Sequence, residues 1–259
     1  MITNSNLYLL LKQIAQMQPN VKLLNVYKGL PISYDAFINS VSDSEIQVHS
    51  NRFQIACLYY QRETYMLGHE LPFMLRSEVI SLNLGKENAI LSNLEIAEKG
   101  IGERSQIRVE PEEPLVARIK FEGSPMEFLA PLMDISAEGG AAYFEHYMFP
   151  MRLCHTGSTV SVTISLPDTV SQKIKKFPTR PLPTPSELRR ESAGAVVLAT
   201  TGKVASVRLE PDLNRYRVGM RLFFKDLART VILQYISQRQ SEIIRDLSVL
   251  SDELYKLKK

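Results

Sequence analysis

Cysteine is nearly missing from this 259-residue chain. Cys57 and Cys154 stand far apart, and neither has a His or second Cys at metal-ligand spacing. That argues against a disulfide framework and a structural zinc site, and it leaves both thiols as buried apolar residues. Long hydrophobic runs are also missing: no stretch of about 18 apolar residues occurs, so no membrane-spanning helix is expected. The opening, MITNSNLYLLLKQIAQMQPN, has no basic leader region and no small-residue cleavage site. Its Leu and Ile spacing suits an amphipathic helix, and a cytoplasmic location is expected.

Catalytic patterns are equally scarce. Ser136 does not lie in a Gly-x-Ser-x-Gly elbow, and His49, His69, His146 and His155 are scattered without a base-orienter pairing. The Gly202-Lys203 pair does not complete a phosphate-binding loop, because Val197 occupies the position where that motif needs glycine. The carboxylates form no acid-base pattern, so a non-enzymatic role without a cofactor is expected.

What the chain does have is an ordinary soluble composition, 44% hydrophobic and 23% charged, with a net charge of +3. The basic excess is concentrated in SQKIKKFPTRPLPTPSELRR, where Lys173, Lys175, Lys176, Arg180, Arg189 and Arg190 face a single Glu187. Four prolines in the same stretch mark residues 170–192 as an exposed basic insertion rather than a core element. It separates two strand-like segments, as a long insertion in a hairpin would.

Period-two alternation runs through most of the chain. It is clean in LVARIKF (Leu115, Ala117, Ile119, Phe121), in TVSVTISL (Val160, Val162, Ile164, Leu166) and in YRVGMRL (Tyr216, Val218, Met220, Leu222). Weaker forms occur in SEIQVH, FQIACLYY and VISLNL. Short strands without helices between them predict a mainly β protein built of antiparallel barrels or sandwiches. Glycine and charge at 97–108 predict a linker between two domains. From Leu233 the period changes: Leu233, Ile236, Ile243, Leu247, Leu250, Leu254 and Leu257 follow a 3-4 spacing interrupted by Gln240. Two readings stand open for this helix, packing on its own barrel or a coiled-coil seam joining a homodimer.

One stretch carries binding chemistry. Arg104 and Arg108 are four residues apart in an extended segment, so both point to the same side. Their planar, permanently charged forks suit phosphate oxygens and the N7/O6 edge of guanine, and they stack on purines. Further on, DISAEGG brings Asp134, a carboxylate able to accept from guanine N1–H and N2–H₂. Ser136 adds a small hydroxyl, and Gly139 allows a turn with close backbone approach. Together these residues describe a guanine nucleotide site.

The order and separation of RSQIR (104–108) and DISAEG (134–139) resemble the PilZ family, receptors for the bacterial second messenger cyclic di-GMP. GSTVSVTISLP, GKVASVRL and YRVGMRLFFKDLARTVILQYISQRQ are similar to that family's later strands and closing helix. Glu103 and Glu138 depart from the pattern, standing where relatives often carry Arg and Gly. Residues before about 100, in NVYKGLPISYDAFINSVSDSEIQVHS and EVISLNLGKENAILSNLEIAE, look like the N-terminal β domain of flagellar-brake proteins. The resemblance implies two β-barrels plus a long C-terminal helix. An N-terminal, split-barrel-like domain would span 1–101 and a PilZ barrel 102–240, with its arginine arm at 102–110. Residues 241–259 would extend the helix, as a coiled coil in the dimer reading.

It further implies that Arg104, Arg108, Asp134, Ser136 and Gly139 bind cyclic di-GMP, and that the ligand reorients the two domains. The output would be a protein partner in motility, pili or biofilm formation. Two other readings are a cyclic di-GMP-responsive nucleic-acid regulator, suggested by the basic insertion, and a PilZ adaptor that acts without ligand.

Overall fold

The computed structural model describes residues 4–17, 20–97, 106–167, 188–189 and 196–256. The chain divides into two compact units, one formed by 1–105 with 241–259 and the other by 106–240. Both are closed six-stranded β-barrels, and three α-helices occur among the described residues.

The first unit opens with α1 (Asn4–Met17), the amphipathic helix expected from the Leu and Ile spacing. Strands β1 (Asn20–Tyr27), β2 (Leu30–Val41), β3 (Glu45–Ser50), β4 (Glu63–Leu67), β5 (Leu75–Asn83) and β6 (Asn88–Ile96) follow, with α2 (Arg52–Gln61) between β3 and β4. They close in the order β1-β2-β3-β6-β5-β4. The β1–β2 hairpin turns on Lys28 and Gly29, both at positive φ, the two-residue turn whose twist matches its strands. Leu7, Leu11 and Ile14 of α1 join Leu23, Ile46, Val48, Met66, Leu75 and Leu91 in one apolar core.

FQIACLYY, read above as a weak strand, is instead the body of α2. The side chain of Asn51 caps the helix by accepting from the Phe53 and Gln54 backbone N–H groups at 3.0 and 2.9 Å. Gln54 to Leu58 are buried on all sides, so neither period stands out in the sequence. The helix is tied to the barrel through Asn25. The Asn25 amide donates to Gln61 Oε1 and to the Glu63 carbonyl, and its oxygen accepts from Gln54 Nε2 at 2.6 Å and Thr64 Oγ1 at 2.8 Å.

The second barrel contains β7 (Leu115–Phe121), β8 (Glu127–Ser136), β9 (Gly139–Glu145), β10 (Thr159–Leu166), β11 (Leu188–Arg189), β12 (Val196–Glu210) and β13 (Arg215–Leu222). Its sheet runs β10-β7-β8-β9-β13-β12-β11, and an additional β10–β12 pairing closes the six long strands. The alternating residues of β7 and β10, and Val218, Met220 and Leu222 of β13, fill the interior as expected, while Tyr216 is half-buried. β10 and β12, which flank the basic stretch in sequence, are antiparallel partners. Apart from the short β11, the insertion falls outside the described residues.

Helix α3 (Asp226–Lys256) completes both units. Ala228, Val231, Ile232, Tyr235 and Ile236 are buried in its first part. Ile243, Leu247 and Leu254, the seam expected to meet a second copy in the dimer reading, are buried within the chain itself. In the first unit, Lys28 pairs with Asp246 at 2.6 Å, Arg52 pairs with Asp252 at 3.0 Å, and Tyr255 donates to Glu87 at 2.9 Å. Packing on the barrel accounts for these three positions of the heptad pattern, while Leu233 of the same seam stays 46% exposed; a helix on a sheet and a helix on a helix demand the same apolar stripe. No helix among the described residues is long and apolar enough to cross a membrane.

Burial pushes the thiols of Cys57 and Cys154 up to about 12. Both are expected to resist iodoacetamide at pH 8 in the native protein and to react fully in denaturant, as read by mass spectrometry. The folded state thus favours the protonated thiols. Their contribution to stability is complete below the ordinary thiol value of 9.0 and is lost as pH rises toward about 12.

Candidate functional site

Arg108 of the first motif meets Asp134 of the second on the outer wall of the second barrel. Arg104 lies outside the described residues, but Arg108 is held in place by its neighbour. Val109 forms an antiparallel bridge with Ile135 of β8, with Val109 N–H donating to the Ile135 carbonyl at 2.9 Å and the reverse bond at 3.0 Å. The arm is anchored again one residue on, where Arg239 Nε of α3 donates to the Glu110 carbonyl at 2.9 Å.

That anchoring sets Arg108 Nη1 3.4 Å from Asp134 Oδ1. A bulge in β8 between Leu132 and Asp134 turns Asp134 outward, where an unbroken alternation would have sent it inside with Leu132. The carboxylate is nevertheless well covered, its side chain 9% exposed. Its second oxygen is engaged by a residue that the sequence reading missed: Arg217 Nη2 of β13 donates to Asp134 Oδ2 at 2.5 Å. Arg108 and Arg217 remain 34% and 38% exposed, so both guanidinium groups can be reached from solvent. A carboxylate desolvated this far is held by its charge partners, and removing both would leave a buried charge uncompensated.

Ser136 and Gly139 define the turn between β8 and β9. Ser136 Oγ donates to the Gly139 carbonyl at 3.1 Å, which makes the buried hydroxyl a brace of the turn. Gly139 serves a different need from the turn flexibility expected of it. It is the first residue of β9, and a Cβ there would lie 2.1 Å from the Met220 carbonyl oxygen of β13. At Gly140 a Cβ would lie 2.7 Å from the Asp134 carbonyl oxygen. The glycine pair lets three strands close around the turn at backbone distance.

Beside this site, Tyr143 of β9 is fixed between charges. Its ring lies 3.6 Å from the Arg215 guanidinium, and its hydroxyl donates to Glu210 at 3.2 Å, while Arg215 Nε pairs with Glu210 at 3.0 Å. Burial raises the Tyr143 phenol above its ordinary value, against the pull of the Arg217 charge. No cluster of His, Cys, Asp and Glu suited to a metal ion occurs among the described residues.

The fold and site thus define a β-barrel whose arginine-bearing arm faces a buried carboxylate on the barrel wall. The sequence matches no family model and no curated protein. Among solved structures, the chain is similar to K. pneumonia MrkH in complex with c-di-GMP, at 11% identity and a TM-score of 0.42, over 95% of this chain and 98% of that one. It is also similar to the Bacillus subtilis inhibitor of motility MotI/DgrA, at 14% identity and a TM-score of 0.39, over 86% and 97%. A third likeness is to the PilZ domain of Escherichia coli YcgR with c-di-GMP, at 12% identity and a TM-score of 0.37, over 56% and 98%.

Proposed function

We propose that the chain is a non-catalytic receptor for cyclic di-GMP, with Arg104, Arg108, Asp134, Ser136 and Gly139 forming or shaping its site. The observation that carries this reading is the buried Asp134 carboxylate, faced by arginine forks from the arm and from β13. Asp134 accepts from guanine N1–H and N2–H₂, while the arm arginines take phosphate oxygens and the guanine N7/O6 edge. Ligand binding fixes the arm that joins the two domains and selects one arrangement of them, which controls a protein partner in motility, pili or biofilm formation.

Guanine selectivity tests the role of Asp134. Adenine lacks the N1–H donor, so cyclic di-GMP is expected to bind at least about tenfold tighter than cyclic di-AMP, a difference of about 1.4 kcal/mol. Asp134→Ala should shrink that preference, leaving the part that the arm arginines contribute through guanine O6. Equal affinity of the unaltered chain for the two dinucleotides would sink the assignment.

A second reading, nucleic-acid binding, draws on Lys203, Arg208 and Arg221, which lie exposed on the strands β12 and β13. Salt-dependent retention on DNA by the chain alone would favour it.

A further inference from the structure

Strand register places a flat row of small residues beside Asp134. Asp134 pairs with Ala141, Ala141 with Gly219, and Gly219 with Ser206, so four strands contribute a carboxylate, a methyl group, a bare Cα and a hydroxyl to one outer row. The row next to it on one side reads Tyr143, Arg217, Arg208, and on the other Ser136, Gly139, Arg221, Lys203. Residues paired in register share a face, so the floor is flanked by basic side chains on both sides. Arg217 and Arg221 are about 13 Å apart along β13, four residues at about 3.3 Å each.

Two features of this wall are unfavourable when nothing is bound. Arg208 faces Arg217 and Lys203 faces Arg221 across the β12–β13 pair, and like charges directly opposite repel. The Asp134 carboxylate partly offsets the first of these pairs, by taking Arg217. Among the described residues, neither Arg208 nor Arg221 forms an ion pair. A dianion laid along the wall would relieve both repulsions. Arg217 also reaches diagonally from β13 across β9 to Asp134, so its guanidinium spans the Ala141 side of the floor, and Ala141 is buried although it faces outward.

We propose that this wall seats one guanine base of the ligand, and that Arg217 is a third binding arginine. Arg217 holds Asp134 and lies over the floor. On binding, the base takes over Asp134, and Arg217 passes to the ligand, through its phosphate or by stacking on the purine face. Arg221 closes the opposite side. This inference rests on the cyclic di-GMP reading above and adds β12 and β13 to a site otherwise composed of the arm and the β8–β9 turn.

The test is a calorimetric titration of the full chain with cyclic di-GMP in a double-mutant cycle of Arg217→Met and Asp134→Asn. A residue that contacts ligand costs affinity whether or not residue 134 carries a charge. One that merely positions Asp134 costs nothing further once that charge is gone. Arg217→Met is expected to weaken binding at least tenfold in both backgrounds, and Arg217→Lys to recover only part, since a point charge cannot stack or donate bidentately. Arg221→Met, at an exposed position where folding is undisturbed, is expected to weaken binding at least threefold and to flatten its salt dependence.

Unchanged affinity in Arg217→Met, or a loss that vanishes in the Asp134→Asn background, would overturn the proposal. So would Arg221→Met binding as the unaltered chain does. If the unaltered chain does not bind cyclic di-GMP, the parent reading fails, an outcome distinct from failure of Arg217 alone.

Discussion

Replacing Arg104 and Arg108 together with alanine is expected to lower affinity for cyclic di-GMP by at least about thirtyfold. Each arginine that meets a guanine edge bidentately contributes about 1–3 kcal/mol, so the pair contributes about 2–6 kcal/mol, with tenfold in affinity for each 1.4 kcal/mol or so. The loss falls on binding, since Asp134 keeps Arg217 as a charge partner when Arg108 is gone. The double variant should therefore melt cooperatively, within about 1 kcal/mol of the unaltered chain, because its removed pair is partly exposed and long at 3.4 Å. Titration beside a thermal melt separates the two effects. Wild-type affinity in the double variant would remove the arm from the site.

The second large effect is structural. Gly139→Val should destabilise the second barrel by at least about 3 kcal/mol, lowering its melting temperature by on the order of 10 °C. Its Cβ would sit 2.1 Å from the Met220 carbonyl oxygen, and that oxygen is backbone, with no rotamer through which to escape. Strands β9 and β13 would have to part, opening a closed barrel where Leu222 N–H bonds the Glu138 carbonyl at 2.9 Å. Gly123 provides the contrast. It has a positive φ and open space around it, so Gly123→Asn, which tolerates the left-handed region, should cost less than about 1 kcal/mol. A Gly139 variant that lost ligand binding would thus report a distorted wall, whereas Arg217 and Arg108 report contact. A Gly139→Val chain that melts like the unaltered one would contradict the steric account.

Much of this was legible in the chain before any coordinates. Period two in LVARIKF, TVSVTISL and YRVGMRL is the pattern a barrel wall imposes, and the strands flanking the Pro-rich basic stretch pair with each other. Reading was hardest where one pattern serves two structures. In the short helix Arg52–Gln61, five consecutive residues from Gln54 to Leu58 are buried, so no helical period stands out between them. An apolar stripe such as Ile243, Leu247 and Leu254 looks the same whether a barrel or a second helix covers it.

Arg217 was out of reach for a different reason. It stands 83 residues beyond Asp134, in a strand where alternating arginines look like ordinary outward charge. Only the β8–β9–β13 register, together with the bulge that turns Asp134 outward, brings the two together. The bulge has no signature of its own in PLMDIS, so the sequence could suggest the carboxylate's ligand without revealing its partner.

The measurement that bears most directly on the central claim is a calorimetric titration of the full chain with cyclic di-GMP. Saturable binding at micromolar affinity or better, corresponding to about 8 kcal/mol or more, is expected, with the stoichiometry given by the same curve. A flat trace from protein shown by its melt to be folded would contradict the receptor assignment and leave the barrel as a ligand-independent adaptor.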